Sequence, residues 1–240
     1  NYLDEVSVDA KKIGAVNTIV NKHGELIGHN TDYYGVTQSL LQASINLNGC
    51  KCLVLGGGGA AKAAVFGLVN NGAQVFICNR TYSKAKEISD KFGCHLIDWD
   101  NFNISIDFDV VISTLLPNVL PPFIKEIKFN ALFSASYKYS EIENYAQKLG
   151  IKVINGEQWL LHQASKAFTI FTECDAPLSE MVNGLSQNLD KEIIKILAYP
   201  VTNNNEIWER NIDLLISTQG LNALQIKDIV DEERGKAFGN

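Results

Sequence analysis

The spacing of hydrophobic positions changes period several times along this chain, and each change predicts an element. In "AVNTIVNKHGELIGHN" (residues 15–30) two short β-prone runs flank a His-Gly pair, the pattern of a hairpin or of two adjacent strands. Residues 31 to about 46 then set Val36, Leu40, Leu41 and Ile45 near helical spacing. The polar triplet Asn30-Thr31-Asp32 therefore sits at a strand-to-helix junction, where its default role is to cap the helix.

The next stretch, "KCLVLGGGGAAKAAVFGLVNNGAQVFICNRT", reads as an apolar strand, a glycine run, an alanine-rich helix and a second apolar strand, which is one βαβ unit. "FDVVIST", "ALFSAS" and "IKVIN" read as further buried parallel strands, and "SEIENYAQKLG" as a helix closed by a glycine. Residues 156–173 form a long helix with Leu160, Leu161, Ala164, Phe168 and Phe171 on its expected apolar face. His162 and Lys166 are expected to project away from that face, with Gln163 at its margin. Such alternation predicts an α/β protein with a doubly wound parallel sheet. Beyond about residue 188 the chain turns polar and poorly periodic, so a boundary is expected there.

Composition narrows the function classes. The 240 residues are 46% hydrophobic and 20% charged, which excludes disorder and collagen-like repetition. A net charge of −6 offers no basic footprint for nucleic acid, so none is expected as a partner. Neither a spanning apolar run nor a signal-peptide pattern is present, so a cytoplasmic protein with no membrane partner is expected. The five cysteines lack C-x-x-C spacing and read as reduced and buried, and four scattered histidines match no zinc pattern, so no metal is expected.

Gly56, Gly58 and Ala61 satisfy G-x-G-x-x-A between a strand and a helix. The first glycine allows the tight turn, the second lets backbone N–H groups approach a pyrophosphate, and the small third residue lets helix and strand pack closely. NAD-binding units place a carboxylate about 20 residues further on to accept a ribose hydroxyl. This chain has Asn79, Arg80 and Thr81 there, followed by Lys84. A guanidinium fork suits a 2′-phosphate, so NADP is the expected cofactor. A lost charge-assisted bond of roughly 1.5–3 kcal/mol should cost on the order of 10- to 100-fold in affinity.

The motifs "IGAVNT" (Ile13–Thr18), "GHNTDYYG" (Gly28–Gly35), "GGGGAA", "NRT", "DVVIST" and "NGEQWLLHQASKAF" (Asn155–Phe168) occur in the order and spacing of shikimate dehydrogenases. Over about residues 1–188 the chain resembles that family. The resemblance implies a Rossmann-type NADP-binding domain with the remnant of an N-terminal α/β substrate domain, and reversible NADP-dependent reduction of 3-dehydroshikimate to shikimate in aromatic amino acid and chorismate biosynthesis. It implies substrate contacts at Asn17, Asp32, Gln163 and Tyr137, with Asp32 also catalytic through the geometry of a proton donor. It implies cofactor contacts at Gly56, Gly57, Gly58, Gly59 and Ala60 for the pyrophosphate. Asn79, Arg80, Thr81 and Lys84 would take the 2′-phosphate, and Ser113, Thr114, Leu115 and Gly156 the nicotinamide half.

Four stretches follow from this reading: 1–46 as the C-terminal part of the substrate domain, 47–155 as the NADP-binding domain, 156–188 as a helical return, and 189–240 as a linker and tail. The family's lysine and Ser-x-Ser motifs have no match in the sixteen residues before Asn17, so the chain is expected to be N-terminally truncated and to turn over poorly alone. The alternative is a non-catalytic protein that binds a cofactor or metabolite. The segment "SASYKYSEIENYA" is shorter than in the family, with Ser134 where Asp is usual. The tail "NIDLLISTQGLNALQIKDIVDEERGKAF" resembles shikimate kinases beyond their phosphate loop, but has no G-x-x-x-x-G-K-[ST], so no kinase activity is expected.

Overall fold

A computed structural model describes residues 2–102, 106–137 and 140–187. The boundary expected near residue 188 and the kinase-like tail lie outside these residues. The chain divides into two units, residues 1–178 and 179–240, and the fold described below belongs to the first.

The first unit opens with β1 (Glu5–Val6) and α1 (Val8–Ile13), which the hydrophobic pattern did not assign. Two residues are too few for a periodic signal. β1 exists because it pairs in parallel with β3. β2 (Thr18–Lys22) and β3 (Glu25–His29) form the expected antiparallel hairpin, turned by His23 and Gly24 at φ 55° and 101°. The result is a three-stranded sheet in the order β1-β3-β2. Ile13 at the end of α1 packs with Ala63 and Phe66, which fastens this small sheet to the rest of the unit.

After α2 (Asp32–Gln42) come β4 (Lys51–Leu55), α3 (Gly59–Asn70), β5 (Gln74–Cys78), α4 (Tyr82–Phe92), β6 (His95–Ile97), β7 (Phe108–Ser113) and β8 (Phe129–Ser134). α5 (Glu141–Lys148), β9 (Lys152–Ile154) and α6 (Gly156–Thr172) follow. Six strands pair in parallel in the order β6-β5-β4-β7-β8-β9, the doubly wound sheet that the pattern predicted. The second unit begins within α7 (Leu178–Gln187).

Strand parity sorts the core into two layers. Cys52 and Val54 of β4 join the layer of Val36, Leu40, Val65 and Trp159, contributed by α2, α3 and α6. Leu53 and Leu55 join the opposite layer, with Phe123, Ile142 and Ala146. From Cys52 to Leu55 both faces of β4 are closed to solvent, which is why that run is continuously apolar. Each such side chain contributes roughly 1.5–3 kcal/mol by burial.

The α6 face differs from the one expected. The helix buries Trp159, Leu161, His162 and Ser165, while Leu160, Ala164 and Phe168 are half-buried and Phe171 is 57% exposed. His162 does not project away. Its Nε2 lies 2.8 Å from Gln42 Oε1 on α2, so a polar partner made an inward histidine tolerable. Lys166 likewise turns toward α2, its ammonium 5.5 Å from the Tyr34 ring centroid. Glycines make these helix crossings close: a Cβ on Gly35 would strike the Trp159 ring, and one on Gly67 would lie 3.0 Å from the Tyr33 carbonyl oxygen.

Candidate active site

Asn17 immediately precedes β2, and the hairpin register lays it beside the end of β3, where its N–H donates to the His29 carbonyl at 3.0 Å. Its side chain is the hub of the site. Asn17 Oδ1 accepts from the Thr31 backbone N–H at 2.9 Å and from the Thr18 hydroxyl at 3.0 Å. Asn17 Nδ2 lies 2.9 Å from Asp32 Oδ1, 3.0 Å from Thr31 Oγ1 and 3.3 Å from Gln163 Oε1. An amide carries two hydrogens, so three acceptors must share them.

The triplet before α2 divides its labour. Asn30 Oδ1 accepts from the Asp32 N–H at 3.0 Å and does the capping, while Asn30 Nδ2 donates to the Ala15 carbonyl at 3.2 Å. Thr31 occupies the N-cap position yet makes no capping bond with its side chain. It is 1% exposed, and its hydroxyl is committed to Asn17. Asp32 is thereby left to face the cleft. The buried Trp159 donates from Nε1 to the Asp32 carbonyl at 3.0 Å, fixing the first turn of α2 against α6.

Burial raises the Asp32 carboxyl above the ordinary aspartate value, and the Asn17 hydrogen bond partly opposes that rise. Tyr137 is raised as well, by partial burial of its ring and by the nearby Asp32 charge, although the residue is 57% exposed. Asn17, Asp32, Tyr137 and Gln163 meet in one cleft of about 600 Å³, with Ile19 and Phe171 among its apolar lining. The four substrate residues implied by the sequence are thus together. No lysine or arginine is among the described residues lining that cleft. Thr31 and Trp159 were not singled out from the sequence. The signals were there: Thr31 is inside the triplet, and Trp159 stands four residues before Gln163 on the same helix.

The glycine loop lies at the carboxyl end of β4, where the sheet order reverses between β4 and β7. Gly56 has φ 133°, and a Cβ there would strike the Thr114 hydroxyl. A Cβ on Gly57 would lie 2.9 Å from both Asn79 Nδ2 and Lys84 Cβ. Around Gly58, by contrast, a Cβ would meet nothing within 4 Å, and the start of α3 has no side-chain cap. This is an open cradle at a helix N-terminus, the geometry a pyrophosphate requires. Ala60, in the first turn of α3, also lines the cleft holding Asp32, so cradle and cleft adjoin.

The end of β5 fits a phosphate too. Arg80, Thr81 and Lys84 are exposed, α4 has neither an acidic residue in its first turn nor a side-chain cap, and Asn79 Nδ2 donates to the Thr81 carbonyl at 3.0 Å. Thr114 donates from both its N–H and its hydroxyl to the Leu55 carbonyl, at 2.9 and 3.0 Å, and so closes the switch point under Gly56. Ser113 is buried, and its carbonyl accepts from Ala135 at 2.8 Å. Gly156 donates to the Ser136 carbonyl at 3.1 Å, where a Cβ would clash with that same carbonyl. The Leu115 side chain packs into the layer of Phe123 and Ile142 on the other side of the sheet. Of the five free cysteines Cys174 is exposed, because it follows the C-cap of α6, and Cys94 is half-buried, contrary to the expectation that all are buried.

Comparison with known proteins agrees with this geometry. The family model described as Shikimate / quinate 5-dehydrogenase matches residues 38–119. A shikimate dehydrogenase (NADP(+)) of Caldanaerobacter subterraneus subsp. tengcongensis is 38% identical, covering 72% of this chain and 67% of that protein. Its counterpart in Caldicellulosiruptor bescii is 33% identical, covering 82% and 75%. Among solved structures, shikimate 5-dehydrogenase of Thermus thermophilus in complex with NADP(H) and shikimate superposes with a TM-score of 0.68 at 30% identity, over 75% of this chain and 70% of that one. Shikimate dehydrogenase of Aquifex aeolicus gives 0.68 and 30%, over 77% and 71%.

Proposed function

This chain belongs to the shikimate dehydrogenase family, and on that premise we propose that it binds NADPH and 3-dehydroshikimate and carries out the reversible reduction of the ketone to shikimate. The observation that carries the proposal is the Asn17 hub, which holds Asp32 and Gln163 in one polar cluster beside the glycine cradle. Asn17 and Asp32 beside the hairpin, with Tyr137 after β8 and Gln163 on α6 after β9, present the substrate groups, and the carboxyl ends of β4, β5 and β7 present cofactor groups. A cytoplasmic location belongs to the same reading, supported by five free thiols.

The chemistry needed from the protein is positioning and proton management. When bound, the dihydronicotinamide supplies the hydride. Asn17 and Gln163 orient substrate hydroxyls through amide groups already set by their mutual bond. Asp32 offers a carboxylate whose Oδ1 is held by Asn17, and its second oxygen takes a substrate hydroxyl or steadies the group that protonates the nascent alkoxide. Tyr137 borders the same space. Arg80, with Thr81 and Lys84, meets the 2′-phosphate, and the N–H groups at Gly57 and Gly58 meet the pyrophosphate.

Calorimetric titration with NADPH, NADH and shikimate tests the proposal. NADPH is expected to bind roughly tenfold or more tightly than NADH, and shikimate to bind the NADP-loaded chain. Equal affinities for the two nucleotides, or no heat from shikimate, would end it. NADPH oxidation by 3-dehydroshikimate then separates an enzyme from a protein that binds both ligands without chemistry.

A further inference from the structure

At the opposite end of the central sheet from the glycine loop, two thiols face each other. Cys50 directly precedes β4 and Cys52 is its second residue, so the two side chains fall on the same face and join the same core layer. Their sulfurs are 3.5 Å apart, with Cys52 donating to Cys50. Both are free thiols, 5% and 0% exposed. They are not equivalent. Cys50 lines a cleft of about 520 Å³, together with Asn46, Asn48, Asp109 and Lys152, whereas Cys52 does not line it.

The cleft sits at the amino ends of β4, β7 and β8, away from the cradle at their carboxyl ends. The backbone on both sides of Cys50 is held. Its N–H donates to Leu47 at 3.1 Å, its carbonyl accepts from Gln74 at 2.8 Å, and Lys51 N–H donates to Asp109 Oδ2 at 2.8 Å. The two sulfurs are already in van der Waals contact, and closing them to the about 2 Å of a disulfide draws Cys50 and Cys52 together across Lys51.

We propose that Cys50 and Cys52 form a redox-active dithiol, Cys50 attacking from the cleft and Cys52 resolving, which passes two electrons to a small-molecule disulfide. The Cys50 thiolate attacks one sulfur of the oxidant, forming a mixed disulfide and expelling one thiolate. Cys52 then loses its proton, attacks Cys50, and releases the second half of the oxidant as a thiol. One disulfide has formed, one has been reduced to two thiols, and no atoms are unaccounted for. The hydrogen bond from Cys52 favours the Cys50 thiolate, and the cleft opens onto Cys50, so Cys50 is the sulfur that attacks first. A bridge with one residue between its cysteines is geometrically strained, so it should be readily reduced again, as regulatory disulfides are.

The test is made on the full chain carrying Cys174→Ser, since Cys174 is exposed and would react on its own account. The folded protein is incubated with oxidised glutathione, alkylated, and digested with trypsin. Because Lys51 lies between the two cysteines, an internal bridge joins the fragments 23–51 and 52–62, and reduction separates them. That joined species is the expected result. Cys52→Ser should instead accumulate glutathione on Cys50, and Cys50→Ser should yield neither product. An unmodified Cys50, a mixed disulfide that persists while Cys52 is present, or a bridge that forms only in denaturant would each overturn the proposal.

Discussion

The two halves of the site are built on different length scales. The cofactor cradle is local: strand, glycine turn, helix and second strand follow one another from Lys51 to Cys78. Its shape rests on glycines whose missing Cβ atoms leave room, and exposed cations stand at the next strand end. The substrate cluster is assembled from afar. Asn17 reaches Asp32 across 15 positions and Gln163 across 146. A local cradle is set by backbone conformation, whereas a remote cluster lasts only while α2 and α6 stay docked. The first should fail by steric insult, the second by loss of a partner.

The largest effect is expected from Gly56→Val. A side chain at φ 133° strikes the Thr114 hydroxyl, so backbone strain of about 1–3 kcal/mol adds to a blocked cradle. Melting temperature should fall, and NADPH titration should give no binding curve. A variant that still binds NADPH with wild-type affinity would show that the cradle does not hold the cofactor.

Next in size is Asp32→Asn, which should weaken shikimate roughly 10- to 100-fold while leaving NADPH affinity unchanged. Its pH signature sharpens the contrast between the halves. Burial raises the folded-state pKa, so the folded protein keeps a proton that the unfolded chain has released. Stability therefore falls as pH rises from the ordinary aspartate value through the raised one, and the deficit persists at neutral pH. The ligand-free Asn variant should accordingly melt higher than the parent at neutral pH, with the difference closing below the ordinary aspartate range. Parallel melting curves across that range would remove the desolvated carboxylate from the account.

Arg80→Ala should raise the NADPH dissociation constant by about tenfold and leave NADH alone. The effect belongs at the low end because the side chain is exposed and screened. If both nucleotides weaken equally, Arg80 is not the 2′-phosphate group. Smallest is Trp159→Phe, which keeps an aromatic ring but deletes the Nε1 bond to the Asp32 carbonyl, a loss of roughly 0.5–1.5 kcal/mol. Shikimate should weaken a few-fold and NADPH not at all. A change in NADPH affinity equal to that for shikimate would mean that the α2–α6 contact supports the whole unit, not the cluster.

Several of these features were legible before the fold was known. Two β-prone runs around a His-Gly pair pointed to a hairpin or two adjacent strands, and the glycine loop between apolar strands gave the βαβ unit. Asn17, Asp32 and Gln163 came from the family resemblance of their motifs, and the structure brings them together. The inward face of α6 was misread, because hydrophobicity was taken as the guide and His162 owes its burial to Gln42, 120 positions away. The cap of α2 could not be assigned among three polar candidates. Asn30 caps because Thr31 is drawn to Asn17.

The sequence by itself determined what depends on near neighbours: the strand and helix periods, the turn glycines, the cofactor loop, and the absence of a carboxylate at Asn79-Arg80-Thr81. Tertiary structure alone decided which polar groups became partners. Trp159 with Asp32, His162 with Gln42, and Asn17 with Gln163 exist only once the helices and strands have docked. The physical reason is range. Periodicity and steric preference act within a few residues, whereas a hydrogen bond needs its two groups about 3 Å apart, a condition the packing of the core imposes.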